Sequence, residues 1–212
     1  MKTKVLLVGA ALAVTAVTAS AETIYSSNVV GYVNLDLVAG WNMVANPLDA
    51  GVNTLNTLMQ GVPDGSQAAK FQNGAWTEVS AYDELFGEWE IDYTINPGEG
   101  FFINLPEAYT VTFVGEVKAG EHSVALPAGW SMVGSPTPVA GTLADIGLVS
   151  PAVSDGDQMF AWSSAAQRYL EGNMFDELFG DWSDPEAQIQ VGQAFLLNKN
   201  DSTTWTRNFE IK

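Results

Sequence analysis

A nine-residue stretch occurs twice in this chain. YDELFGEWE, Tyr82 to Glu90, returns as FDELFGDWS, Phe175 to Ser183, 93 positions later. The surrounding sequence repeats in the same order. AGWNMVANP (Ala39–Pro47) matches AGWSMVGSP (Ala128–Pro136) at 89, and PDGSQ (Pro63–Gln67) matches SDGDQ (Ser154–Gln158) at 91. GEGFFIN (Gly98–Asn104) matches GQAFLLN (Gly192–Asn198) at 94, and TFVGEV (Thr112–Val117) lines up with TRNFEI (Thr206–Ile211), also at 94. The offset drifts by a few residues and the order never changes. Such a pattern predicts a tandem duplication of a unit of about 90 residues, hence one fold written twice.

Local patterning makes the unit β-rich. Trp41, Met43, Ala45 and Pro47 alternate with Asn42 and Asn46, and Trp130, Met132, Gly134 and Pro136 alternate with Ser131 and Ser135. A period of two puts the larger apolar side chains on one strand face and the small polar ones on the other. FFINL and FLLN are apolar on both faces and predict central strands. Tyr109, Val111, Phe113 and Val117 form an apolar stripe whose second copy carries Arg207 where Phe113 stands, which predicts an edge. Asn73-Gly74 is a hairpin turn, replaced in the second copy by SSAAQ; Asp64-Gly65 and Pro97-Gly98 are further turns. One short helix per copy is expected: Leu55, Leu58 and Met59 between an Asn53 cap and a Gly61 stop, echoed by Leu143 and Ile146 after Thr142. The expected fold is all-β: two homologous sandwich or partly open barrel units, residues 22–117 and 118–212, each with one short helix. VGYV (Val30–Val33) resembles VGEV (Val114–Val117) and, loosely, NFEI (Asn208–Ile211). The first unit therefore carries a strand with no obvious partner in the scheme. It either closes that unit or pairs with a neighbouring molecule by strand addition.

Residues 1–21 read as a secretory leader: Lys2 and Lys4, an apolar run from Val5 to Val17, then Ala19-Ser20-Ala21 before the expected cut. The run is too short to span a bilayer. Export to the exterior, the cell surface or the periplasm is the expectation, with no later membrane insertion. The chain has no Cys, so stability must come from core burial; 47% hydrophobic and 11% aromatic residues suffice. The formal charge of −17 becomes −19 once Lys2 and Lys4 leave. Nucleic acid is excluded as a partner, because phosphate binding needs clustered Lys or Arg.

GWNMVANP, the glycine hairpin segment, PGEGFFIN and VTFVGEV together resemble the GWN-type repeats of exported bacterial β-proteins. The resemblance spans nearly the whole chain after the leader. It implies an extracellular or surface accessory module and transfers no catalytic residue. The second copy departs from it at Val191 and Ala194, where Pro97 and Gly100 stand in the first.

The DELFG motif predicts a bend whose aromatics plug the core while its acids face water. Calcium binding is the rival reading, since turn-rich acidic loops supply oxygen ligands; Asp83, Glu84, Glu88, Asp176, Glu177 and Asp181 would hold the ion. No other cofactor is expected. The single His122 lies in the turn KAGEHS with no nucleophile-elbow pattern nearby, and Glu99 is Gln193 in the second copy, so no enzyme is expected. Structural or adhesive work outside the cell is the leading reading. Carbohydrate binding is an alternative, with Trp76, Trp162 and Tyr169 beside the hairpins as ring-stacking platforms. Self-assembly through the N-terminal strand is a third.

Overall fold

VVGYVNLDL alternates large and small or polar residues, and it forms the first strand of a computed structural model that describes residues 29–72 and 74–211. Residues 1–28, which include the expected leader, residue 73 and residue 212 lie outside the described residues. The first half contains β1 (Val29–Leu37), β2 (Gly40–Ala45), the short α1 (Leu55–Leu58), β3 (Gln67–Ala69), β4 (Phe71–Gln72), β5 (Ala75–Trp76), β6 (Ser80–Asp83), β7 (Glu88–Trp89), β8 (Gly100–Leu105) and β9 (Tyr109–Val117). The second contains β10 (Gly120–Leu126), β11 (Gly129–Gly134), β12 (Gly141–Thr142), β13 (Gln158–Ser163), β14 (Arg168–Tyr169), β15 (Asn173–Asp176), β16 (Asp181–Trp182), β17 (Gln188–Ile189), β18 (Ala194–Lys199) and β19 (Thr203–Phe209). The chain is all-β, with antiparallel pairing throughout these strands.

Strand order is the same on both sides. The first half runs β2-β8-β3-β6-β7 and the second β11-β18-β13-β15-β16. The doubly apolar segments β8 and β18 lie in the interior of those sheets, where both faces are covered. A two-stranded ribbon accompanies each sheet: β1 with β9, β10 with β19. Each ribbon turns its apolar side onto a core of its own half. Leu37, Val111 and Phe113 meet Val44, Phe101 and Ile103 in one; Leu126 and Trp205 meet Val133, Phe195 and Leu197 in the other.

Strand β1 is not surplus. It pairs with β9 along its whole length, from Val29 opposite Val117 to Leu37 opposite Tyr109. Its counterpart is β10, which precedes β11 as β1 precedes β2. A Cβ added to Gly192 would sit 2.7 Å from Leu35 Cδ1, and one added to Gly98 would sit 2.4 Å from Val124 Cγ2. Each glycine thus lets the other half's ribbon lie directly on its backbone.

Two local expectations, the paired helices and the core-plugging bend, need correction. The small polar face of β2 is also covered: Asn42 and Asn46 are buried, and their amides serve the backbone. Asn42 Nδ2 donates to Val38 O and Gly40 O at 2.8 and 2.9 Å; Asn46 Nδ2 donates to Ile95 O at 2.8 Å. The helix exists only in the first half. Its N-cap is Thr54, while Asn53 is occupied with Asp49, Ala50 and Asn46. In the second half the segment after Thr142 closes as a turn, held by Thr142 and Asp145 side chains that bond each other's backbone N–H. Finally, the DELFG bend buries only its outer aromatics, Tyr82 and Trp89, and Phe175 and Trp182. Leu85, Phe86, Leu178 and Phe179 stand in solvent. A tight hairpin tip points away from the sheet, so its apex cannot reach the core.

Candidate functional site

The apolar faces of β2 and β11 meet each other. Met43, Ala45, Phe102, Met132 and Ala194 form a third buried cluster between the two halves. Its contacts are reciprocal. Ala45 N donates to Gly192 O at 2.8 Å, and Gly134 N donates to Gly98 O at 3.0 Å. Val44 bridges to Gln193 just as Val133 bridges to Glu99. Equivalent positions of the repeated sequence exchange partners, as in a two-fold interface between subunits.

The reciprocity fails at one edge. The longer turn of the second half, residues 164–167, reaches across the seam. Gln167, held at φ 51°, accepts from Trp41 N through Oε1 at 2.8 Å and donates through Nε2 to Trp41 O at 2.9 Å. Trp162 Nε1 donates to the same carbonyl at 2.9 Å. Trp41 is therefore half-buried in the seam, whereas Trp130 is exposed and packs on Phe160 at 5.5 Å between ring centroids.

A cleft of about 350 Å³ opens here. Trp41, Trp76, Phe102, Trp162 and Tyr169 wall it, with Ala69, Thr77 and Val79 between them. The rings lock edge to face: Phe102 to Trp162 at 5.0 Å, Trp162 to Tyr169 at 5.0 Å and Phe102 to Trp41 at 5.8 Å. Burial pushes the Tyr169 phenol up from its ordinary pKa. Trp76 is 50% exposed and lies 5.7 Å from Phe102. Trp76, Trp162 and Tyr169, singled out from sequence for sugar stacking, thus meet in one place although they come from opposite halves. Trp41, Phe102 and Gln167 were missed. The SSAAQ insertion was their only visible signal.

Three of the six acids expected to hold calcium accept backbone hydrogen bonds. Asp83 Oδ1 accepts from Leu85 N at 2.9 Å and Phe86 N at 3.3 Å; Asp176 Oδ1 accepts from Leu178 N at 2.9 Å and Phe179 N at 3.4 Å. Asp181 Oδ1 accepts from Trp182 N. Glu84, Glu88 and Glu177 point into solvent. Among the described residues no three acidic or His side chains come together as metal ligands. Glu99 accepts from Asn96 N at 2.9 Å, as Gln193 accepts from Gln190 N at 3.0 Å, so either side chain clamps the turn. His122 is half-buried, with Nε2 2.7 Å from Lys118 O.

Comparison with protein-family models, with curated proteins and with solved structures returned no match.

Proposed function

We propose that the protein is a secreted, non-enzymatic adhesive or structural module of the cell exterior that engages its target through the aromatic cleft on the seam. The cleft is the observation that carries this reading. A chain that folds by core burial alone gains nothing from leaving large rings half open to water. Covering the exposed half of Trp76 is worth roughly 2 kcal/mol, from the area of a Trp side chain and the usual value per Å². The leader pattern and the resemblance to GWN-type repeats support a place outside the cytoplasm.

The cleft suits an apolar surface. Its wall offers rings and methyl groups, while the Trp162 and Gln167 donors are already spent on Trp41 O. Carbohydrate shares the site through Trp76, whose exposed ring is a stacking platform. Sugar hydroxyls, however, want several polar partners at the same place.

A neutral apolar dye titrated into the exported chain tests the proposal. We expect saturable binding and its loss in Val79→Glu and Trp76→Ala, with a cooperative melt showing that each variant still folds. Binding that does not saturate, or that survives Val79→Glu, refutes it. Quenching of Trp fluorescence by polysaccharides, sensitive to the same two changes, would move the reading to carbohydrate.

A further inference from the structure

A second cavity, of about 440 Å³, lies where β10 and β11 of the second half meet residues 70–72 and 96–100 of the first. Its wall is mixed, unlike that of the aromatic cleft. Trp130, 40% exposed, lines it and is steadied against Phe160. Lys70 and Glu99, its two charged lining residues, pair with each other at 3.0 Å, so the wall carries no net charge. Gln72 and Asn96 add exposed side-chain amides.

Two of the polar groups are only partly used by the fold. Lys70 is 8% exposed. Its ammonium has three N–H donors, of which Thr94 O at 2.6 Å and Glu99 Oε2 at 3.0 Å take two. Ser131 is also 8% exposed, and its Oγ has no hydrogen-bond partner among the described residues. A buried polar group left without a partner works against folding.

The other half folds without these groups. Its matching cavity, of about 420 Å³, lies between β1, β2 and the turn before β18. There Ala161 stands in the sequence position of Lys70, and Gln193 in that of Glu99. Asn42 replaces Ser131, and its amide is spent on Val38 and Gly40. Trp41, the counterpart of Trp130, is held in the seam by Gln167 and does not line this cavity. The repeated fold makes the cavity twice and equips one copy with a ring, an ammonium, a carboxylate and a hydroxyl.

We propose that the cavity beside Trp130 binds a short neutral saccharide, one ring stacked on Trp130 and hydroxyls bonded to Lys70, Glu99 and Ser131. A sugar joins an apolar ring face to hydroxyls that both donate and accept. The wall offers an aromatic face, a donor in Lys70, an acceptor in Glu99 and a group that does both in Ser131. A carboxylate or phosphate would meet Glu99 as well as Lys70, so the paired wall favours an uncharged ligand. The volume falls within the usual range for small-molecule sites, about 300–1,000 Å³. This site is separate from the aromatic cleft and does not rest on it.

Calorimetric titration of the exported chain, leader removed, with cellopentaose, maltopentaose, laminaripentaose and N-acetylchitopentaose decides the matter. At least one should bind saturably, with little dependence on salt. Trp130→Ala should weaken that binding roughly tenfold or more. Ser131→Ala should weaken it roughly threefold or more and melt no lower than wild type, because the hydroxyl bonds nothing in the fold. Lys70→Ala with Glu99→Gln writes the second half's residues into the first; it should fold and lose roughly tenfold or more in affinity. Dye uptake by the aromatic cleft should be unchanged in Ser131→Ala. No binding of any of the four sugars at millimolar concentration overturns the inference, and so does binding that survives Trp130→Ala and Ser131→Ala. Binding abolished by Val79→Glu would put the sugar in the aromatic cleft instead. Binding of polygalacturonate alone, lost at high salt, overturns the neutral ligand.

Discussion

Asp157 and Lys199 form an ion pair with both side chains fully buried. The first half shows what the same place looks like without charge: Ser66 and Leu105 occupy the equivalent positions, and both are buried. Lys199 Nζ also donates to Ala152 O at 2.9 Å, and Asp157 accepts from Asn200 N and Ser154 N, each at 2.8 Å. Removing one partner strands a desolvated charge, which costs about 3–5 kcal/mol. Lys199→Met should therefore lower the melting temperature by roughly 6–20 °C, at about 2–4 °C per kcal/mol for a domain of this size. The pair Asp157→Ser with Lys199→Leu copies the first half and removes both charges. It should melt within a few degrees of wild type or above it, because paired burial repays little more than its desolvation. Thermal and denaturant melts at neutral pH read both. A pH series adds a sign. Burial, the largest influence, works against the Asp157 carboxylate, yet bonds from Lys199, Asn200 and Ser154 outweigh it and hold its pKa below the ordinary carboxylate range. The depressed folded value means the group's contribution is present above about pH 4, the unfolded value, and is lost as pH falls through the folded one. The double variant should lack that component of the acid loss. A single variant that loses under about 1 kcal/mol, or a double variant as damaged as the single, refutes the reasoning.

Three further outcomes follow from comparing the halves. Trp182 Nε1 donates to Leu148 O at 2.8 Å, whereas its counterpart Trp89 Nε1 has no partner, so Trp182→Phe should cost about 1–3 kcal/mol more than Trp89→Phe in denaturant melts. A Cβ on Gly134 would lie 2.3 Å from Ala45 Cβ in the seam; Gly134→Ala should destabilise by about 1–3 kcal/mol by forcing the halves apart, read by the same melts. The hydrogen bond from Lys118, then that from Asn53, lower Asp49 to a pKa of about 2. The penalty of Asp49→Asn should be about 1 kcal/mol or less because the pair is partly solvated, full above about pH 4 and gone near pH 2 in an acid melt series.

Much of the architecture was legible in the residue order. The apolar alternation of β1 and β9, the doubly apolar β8 and β18 and the turn glycines follow from sterics and period acting over a few residues. Trp76, Trp162 and Tyr169 were legible as candidates, though not as neighbours. The fate of Leu85-Phe86 was misread because an apolar pair in a tight turn looks like core until the direction of the hairpin is known. For Asn42 and Asn46 the polar side chain announces its need for hydrogen bonds, and only the fold says whether water or a carbonyl meets it.

The sequence by itself determined that the chain is β-rich, acidic, without Cys and written twice, since composition, repetition and short-range pattern need no partner in space. Tertiary structure alone decided that Met43 faces Met132 across a seam, that Gln167 reaches over to Trp41, and that the cleft is therefore one-sided. An apolar side chain specifies that it will be covered; which surface covers it is settled by two sheets finding a shared shape.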